Sequence, residues 1–299
     1  MVSVKVSQDK RALKHKNALK RSVASPLSVD IRDVTLTFST PSDSTYTALQ
    51  HLSLSVKPAE FCAIVGPTGC GKSTALSLVA GMTAPSSGEV RVGDRRVEGI
   101  NTDVGLVFQN DTVLPWKRVL ANVACGPEFR GMGKQEARAL GEDWLRRVGL
   151  DGFGDRYMHQ LSGGMRRRVA FAQSLINEPR VLLMDEPFSA LDVQTRIVMS
   201  DELLALWEQT KPTVIFVTHD LEEAISLADR VVVLTAGPAS VKAEFAIDLP
   251  RPRRVHELRF QQEFRELYAK IWEALRDEVM LTYARETQSG RGSTGVQND

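Results

Sequence analysis

The chain has 299 residues, 42% hydrophobic and 25% charged, with a formal net charge of +1. These values suit one large globular domain or two modest ones and give no global field that would gather nucleic acid. Apolar runs such as Val231–Leu234 fall far short of the roughly 18–20 residues that cross a bilayer, and Cys62, Cys70 and Cys125 lack the CxxC spacing of a zinc site or disulfide framework, a usage that suits a reducing cytoplasm.

Residues 1–26 are basic and polar and lack the apolar core of a signal peptide. They read as a flexible leader, with a weak contact to anionic lipid or a partner as the other reading. Leu27–Phe38 and Thr47–Val56 alternate apolar and polar residues and read as paired strands around the turn-rich STPSDST. Glu60–Gly66 is a short apolar run, expected as a buried strand, and leads through a glycine-rich loop into the helical KSTALSLVAGM. GEVRVGDRRV reads as a hairpin, and Val104–Gln109 as another strand. Lys134–Val148, Arg166–Ile176 and Arg196–Gln209 have helical character. VLLMDEP and TVIFVTHD read as core strands, LEEAISLAD as a helix, and VVVL with KAEFAI closes the core. Strands alternating with helices imply an α/β fold with a mostly parallel sheet and helices on both faces. Such sheets bind ligands at the carboxyl ends of their strands.

In the final segment, Phe260, Phe264, Leu267, Ile271 and Leu275 recur at three- and four-residue steps. This predicts an amphipathic helix packed on the core, with a partner surface as the other reading. From Thr287 onward the composition is that of a disordered end.

The stretch Gly66-Pro67-Thr68-Gly69-Cys70-Gly71-Lys72-Ser73 fits GxxxxGK[ST] between a strand and a helix. Its glycines let backbone N–H groups turn inward around phosphate oxygens, and the helix adds the positive end of its dipole. Lys72 can reach the β- and γ-phosphates, the Ser73 hydroxyl can bind Mg²⁺, and Thr74 continues the loop into the helix. Asp185 and Glu186 appear where VLLMDEP leaves the core. Asp185 would hold Mg²⁺ through its water shell. Glu186 would polarise an attacking water as general base. An acidic pair after a strand is weak alone and gains its meaning from the phosphate loop upstream. His219 follows a strand expected beside that of the loop, where it can contact a γ-phosphate. A lone histidine at a strand end is more often structural. Gln109, also at a strand end, can touch Mg²⁺ and water without adding charge.

In order, GPTGCGKS, Gln109, LSGGM at Leu161–Met165, VLLMDEP, SALD at Ser189–Asp192 and His219 match the motifs of one family. The chain resembles the ATP-binding subunit of an ABC transporter over about residues 27–254. The resemblance implies a P-loop NTPase core, an antiparallel β subdomain and a helical subdomain at about residues 110–178. It implies a head-to-tail dimer in which each ATP lies between the phosphate loop of one copy and Ser162, Gly163 and Gly164 of the other. It also implies an aromatic ring under adenine, with Phe38 the best match and Tyr46 the runner-up. Residues 255–286 would form a C-terminal helical extension and 287–299 a tail.

LPWKRVLANVACGPEFRGM, LPRPRR and the C-terminal segment resemble importer subunits for nitrate, taurine and aliphatic sulfonates. That group implies membrane permease partners, an extracytoplasmic solute-binding protein and a place at the cytoplasmic face of the inner membrane. Leu114, Pro115 and Trp116 are expected in a loop lining the groove for a short permease helix, or else packed down. Met165, Arg167 and Gln173-Ser174 depart from the commonest family pattern. Arg166, Arg167 and Arg168 are successive on a helix, so they point in different directions and are expected to make separate contacts. The competing classes are a soluble ABC-type ATPase for translation or DNA repair and a P-loop kinase. The single phosphate loop and the short gap without heptads between Gln109 and LSGG speak against the first. The LSGG and SALD elements speak against the second.

Overall fold

The structure, a computed structural model, describes residues 25–39, 45–109 and 113–291. Most of the leader, the centre of the STPSDST turn and the end of the tail lie outside the described residues.

Two sheets carry the fold. In the first, β1 (Val29–Ser39) pairs antiparallel with β2 (Thr45–Val56) and with β4 (Ser87–Val92), which pairs with β5 (Arg95–Arg96). The second is six-stranded, in the order β10-β9-β3-β8-β7-β6. Its strands β3 (Phe61–Val65), β6 (Val104–Val107), β7 (Val181–Asp185), β8 (Thr213–Val217) and β9 (Arg230–Leu234) are parallel. Only the edge strand β10 (Val241–Ala246) runs antiparallel.

The central parallel strands β3, β7, β8 and β9 are apolar through their buried interiors because both faces are covered. All five residues of β3 are buried. Phe61, Ala63, Val65, Leu182, Met184, Val214 and Phe216 point into one core. Cys62, Ile64, Val181, Leu183, Ile215 and Val217 point into the other, against α1 (Lys72–Ala80) and the antiparallel sheet. The alternation is the two-residue period of a strand. In the first core a chain of rings crosses the sheet: Trp207 lies 5.6 Å from Phe61, Phe61 5.9 Å from Phe216, Phe216 6.0 Å from Phe188, and Phe188 5.9 Å from Phe171. It ties α4 (Gly163–Leu175) and α5 (Val193–Thr210) to the strands.

Between β6 and α4 lie two more helices, α2 (Val119–Phe129) and α3 (Lys134–Arg147). The first was not expected from the sequence. Its fully buried Asn122 explains the loop before it: the side-chain amide donates to the carbonyls of Leu114, Lys117 and Arg118 at 3.1–3.2 Å and accepts from Leu114 N–H at 2.7 Å. The loop is thereby folded back with Trp116 71% exposed.

The helix expected from Arg166 begins earlier, at Gly163, capped by the Ser162 hydroxyl that accepts from Met165 N–H. At the C-terminus the expected single amphipathic helix is broken. A short α7 (Val255–Leu258) precedes α8 (Gln262–Arg291), after α6 (Leu221–Leu227) in the core. Phe264, Ile271 and Leu275 are buried as the period demands, but Phe260 falls in the break and is 75% exposed. The helix also continues through Thr287, where the sequence was read as a disordered end.

Candidate functional site

The phosphate loop joins β3 to α1, so Gly66–Gly71 sit at the carboxyl end of the parallel sheet. Gly69 and Gly71 adopt φ of 73° and 121°, values that strain any other residue. A Cβ on Gly71 would also come within 2.9 Å of the Ala48 carbonyl. Pro67 O accepts from Cys70 N–H, and Thr68 and Gly69 are exposed at the tip. No side chain caps α1, which leaves its first N–H groups for an anionic ligand. Lys72 is buried, with its ammonium donating to Gly66 O at 2.9 Å and Pro67 O at 2.8 Å.

One residue on, the Ser73 hydroxyl donates to Asp185 Oδ1 at 3.0 Å. Burial holds the Asp185 carboxyl above the usual carboxylate range, opposed by the Ser73 bond, with the neighbouring Glu186 charge adding to the rise. Among the described residues there is no group of three or more His, Cys, Asp or Glu that could hold a metal by itself. One hydroxyl and one carboxylate beside a cationic, N–H-lined loop instead fit Mg²⁺ carried in on phosphate oxygens, because that ion keeps waters and takes few protein ligands.

Glu186 occupies φ of 42°, and its N–H donates to Val217 O at 2.9 Å across to β8. The unusual backbone turns the chain sharply at the strand end. Its carboxylate Oε2 lies 3.1 Å from His219 Nδ1, whose side chain is half-exposed. Its carbonyl accepts from the Ser189 N–H and hydroxyl, which fixes the start of the SALD loop. Asp192 then caps α5 through Thr195. The Thr195 hydroxyl and N–H bonds hold the Asp192 carboxyl below its ordinary value.

Behind His219 sits a cluster that the sequence reading missed. The Thr218 hydroxyl donates to the buried Glu223 at 2.6 Å, and Arg196 bridges Asp220 at 2.8 Å and Glu223 at 3.4 Å. Arg196 also donates to Leu191 O, so one guanidinium ties the SALD loop to the segment carrying His219. The signal was an arginine four residues after Asp192 on a helix facing two acids in DLEEA, Asp220 and Glu223, visible only once the helices are placed.

Gln109 is exposed just past β6. Its carbonyl accepts from Arg167 at 2.7 Å, and the Phe108 carbonyl from the same guanidinium at 2.9 Å. Arg166 instead donates to Leu161 O and Arg168 to Glu202, so the three arginines do make three separate contacts.

Two expected groups stand apart from the phosphate loop. A Cβ on Gly163 would approach only Arg166 Nη2, at 4.0 Å, and one on Gly164 only Thr195, at 3.0 Å. Among the described residues, no phosphate-loop group lies within 4 Å of either added Cβ. Phe38 and Tyr46 face each other across β1 and β2, 40% and 49% exposed. The Tyr46 hydroxyl is the nearer to the loop, through Gly237: a Cβ there would lie 3.9 Å from Tyr46 Oη and 3.8 Å from Cys70 Cα.

Among the described residues, no helix is long and apolar enough to cross a membrane. The ABC transporter family profile matches residues 49–189. An ABC transporter ATP-binding protein of Methanocaldococcus jannaschii is 47% identical over 78% of this chain and 86% of its own. The taurine import ATP-binding protein TauB of Yersinia pestis is 42% identical over 67% of this chain and 79% of its own, and that of Roseobacter denitrificans 37% identical over 84% and 96%. Among solved structures, a dimeric ATP-binding cassette in a post-hydrolysis state with ADP and phosphate matches with a TM-score of 0.66 and 31% identity, over 74% of this chain and all of that one. A loop built for phosphate, a carboxylate pair at the end of a strand two places along the same sheet and these relatives lead to one conclusion: the chain is a P-loop NTPase that belongs to the ATP-binding subunits of ABC transporters, ATPases coupled to transport, in the group that includes the taurine import subunits.

Proposed function

We propose that residues 27–254 form the unit that binds and hydrolyses ATP with Mg²⁺, and that a second copy of the chain completes each site. The observation that carries this is the pairing of Glu186 with His219 at 3.1 Å beside the Ser73–Asp185 contact at 3.0 Å. MgATP brings a phosphoanhydride whose charge the ion partly neutralises. Gly66, Thr68, Gly69, Cys70, Gly71 and Thr74 wrap the phosphates with backbone N–H groups while Pro67, which has none, shapes the loop, and Lys72 exchanges its carbonyl partners for phosphate oxygens. Ser73 and Asp185, with Gln109, are the metal-side residues. Glu186 accepts a proton from the attacking water as general base. His219 orients that carboxylate and donates towards the γ-phosphate. Phe38 stacks on adenine.

The open flank of Gly163 supports an anion delivered by a partner copy, at a helix N-terminus whose Ser162 cap leaves further N–H groups to spare. The dimeric neighbour supports the same arrangement. The taurine import relatives support an importer for a small oxyanion such as taurine, nitrate or an aliphatic sulfonate. In that reading the helical region at about residues 110–178 docks on membrane permease subunits at the cytoplasmic face of the inner membrane, and a solute-binding protein serves the outer side. Residues 255–286 are then a helical extension of the unit.

Glu186→Gln keeps the shape and removes the base, so ATP turnover is expected to fall by about 10²–10⁴-fold while ATP binding persists. Undiminished hydrolysis in that variant refutes the role of Glu186. With ATP, the same variant is expected to shift towards a dimer on sizing. A copy that stays monomeric with and without its permease refutes the shared site.

A further inference from the structure

The helix α8 packs on α6, β9 and β10, outside the segment matched by the family profile, and one of its acids is buried. Glu278 Oε2 accepts the Ala236 N–H at 2.7 Å, and Oε1 pairs with Lys242 at 2.8 Å. Two turns further on, Arg285 donates to the Gly237 carbonyl at 2.6 Å. Both side chains therefore hold the same turn, residues 235–240 between β9 and β10. Burial opposes a charged carboxylate at Glu278, yet the Lys242 bond, the Ala236 N–H and the Lys242 and Arg285 charges outweigh it and hold the group below its ordinary range.

The far side of that turn is the wall of the phosphate loop. A Cβ on Gly66 would lie 3.3 Å from Leu234 Cβ, one on Gly71 would lie 3.5 Å from Ala239 Cβ, and one on Gly237 would lie 3.8 Å from Cys70 Cα. Ala239 donates to Ala48 O at 2.9 Å and accepts from Gln50 N–H at 3.0 Å, which locks the turn to β2 beside Tyr46. Helix, turn and loop are in contact without a gap.

We propose that α8 sets the shape of the nucleotide site, with Glu278 and Arg285 as positioning residues that clamp the 235–240 turn against the phosphate loop and the base-side wall at Tyr46. The proposal rests on the ATP-binding reading of the loop. Neither residue touches nucleotide. Releasing the clamp lets the wall retreat, which loosens the loop around Cys70 and weakens the grip on ATP without altering Glu186 or His219.

The test uses the purified full chain with Glu278→Ala, Glu278→Gln and Arg285→Ala, each checked for native circular dichroism. In nucleotide-free protein, N-ethylmaleimide labelling of Cys70 is followed by peptide mass, with the equally buried Cys62 and Cys125 as internal references. Glu278→Ala is expected to speed Cys70 labelling by about tenfold and to leave the references unchanged, because a buried thiol reacts only when its cover opens. In ATPase assays the same variant is expected to raise KM for ATP by about tenfold with kcat within about twofold, the signature of lost binding rather than lost chemistry. Glu278→Gln keeps an acceptor for Ala236 N–H and is expected to recover most of both effects. Arg285→Ala, nearer the surface, is expected to show a smaller change of the same kind and carries the test if Glu278→Ala does not fold. Cys70 rates and KM within twofold of wild type in Glu278→Ala and Arg285→Ala overturn the proposal, as does a rise shared equally by all three cysteines. Wild-type protein that binds no ATP refutes the nucleotide reading itself, and Cys70 labelling then decides separately whether the helix holds the loop.

Discussion

Arg167 stands where the commonest family pattern has glutamine, and it is 3% exposed. Its guanidinium reaches from α4 to two consecutive carbonyls, Phe108 at 2.9 Å and Gln109 at 2.7 Å, 59 and 58 residues away in sequence. Arg167→Ala would remove both donors and leave the two carbonyls to find water. A hydrogen bond involving a charged group contributes about 1.5–3 kcal/mol. Because one side chain makes both, the losses overlap, and the expected destabilisation is about 3 kcal/mol. For a domain of this size that corresponds to a fall in Tm of roughly 6–12 °C. Arg167→Gln can restore one donor and is expected to lose about half as much.

Stability is only the first readout. In the proposed function Gln109 links the nucleotide's metal side to a docking loop after it, and Arg167 holds its backbone to the helix that begins with the signature. Arg167→Ala is therefore expected to lower ATP turnover more than ATP affinity, since the loop mispositions Gln109 without disturbing Lys72. Thermal unfolding by circular dichroism and steady-state ATPase kinetics measure the two effects. A Tm within about 2 °C of wild type, equivalent to under about 1 kcal/mol, refutes the assignment of these bonds as a structural tie. Unchanged kcat in a destabilised variant refutes the link to Gln109 alone.

Other perturbations separate the core, the clusters and the surface. Burial pushes the Glu223 carboxyl from 4.5 up to about 7, against the Thr218 bond and the Arg196 charge, with Asp220 adding to the rise. The folded state then holds a proton that the unfolded chain has released, so this group's contribution falls as pH rises from about 4.5 to 7 and is flat above. Glu223→Gln keeps an acceptor for Thr218 and removes the titration, and urea unfolding should show the variant gaining on wild type by an amount on the order of 3 kcal/mol between those limits; parallel pH profiles contradict it. Phe188→Ala empties a fully buried link of the ring chain and is expected to cost about 3–5 kcal/mol, with a loss under about 1 kcal/mol showing that the rings are not packed as described. Trp116→Ala removes a ring that is 71% exposed, so folding stability should move by less than about 0.5 kcal/mol while co-purification with the permease pair is lost; undiminished co-purification removes Trp116 from the docking surface.

The parallel sheet was legible because a strand buried on both faces must be nearly all apolar, as Phe61–Val65 is throughout and Thr213–Val217 is after its first residue. The phosphate loop was legible for a similar reason, since bare backbone, one lysine and one hydroxyl at fixed steps satisfy few other demands. Asp185, Glu186 and His219 come together because strand ends on one side of the sheet converge whatever the loops do. Where a local pattern has one physical cause, the sequence carries it.

The parts that were missed answer to distant partners. Val119–Phe129 has a proline in its last turn and little amphipathic spacing, and it is held by burial against α3 and α4. Phe260 satisfied the helical period yet lies outside, because the chain breaks between Leu258 and Gln262 and the period does not carry across the break. Asn122, Arg196 and Glu278 look like ordinary polar residues on helices, and each becomes specific only when folding brings it to orphaned backbone groups or charges of another segment. The same holds for LSGGM. Two glycines at a helix start appear costly in one chain, and their flank meets only Arg166 and Thr195 there. Thr195 accounts for Gly164 within one chain, whereas Gly163 meets no close neighbour among the described residues; a feature its own chain does not explain is best explained by a contact with another, which is why Gly163 argues for a second copy.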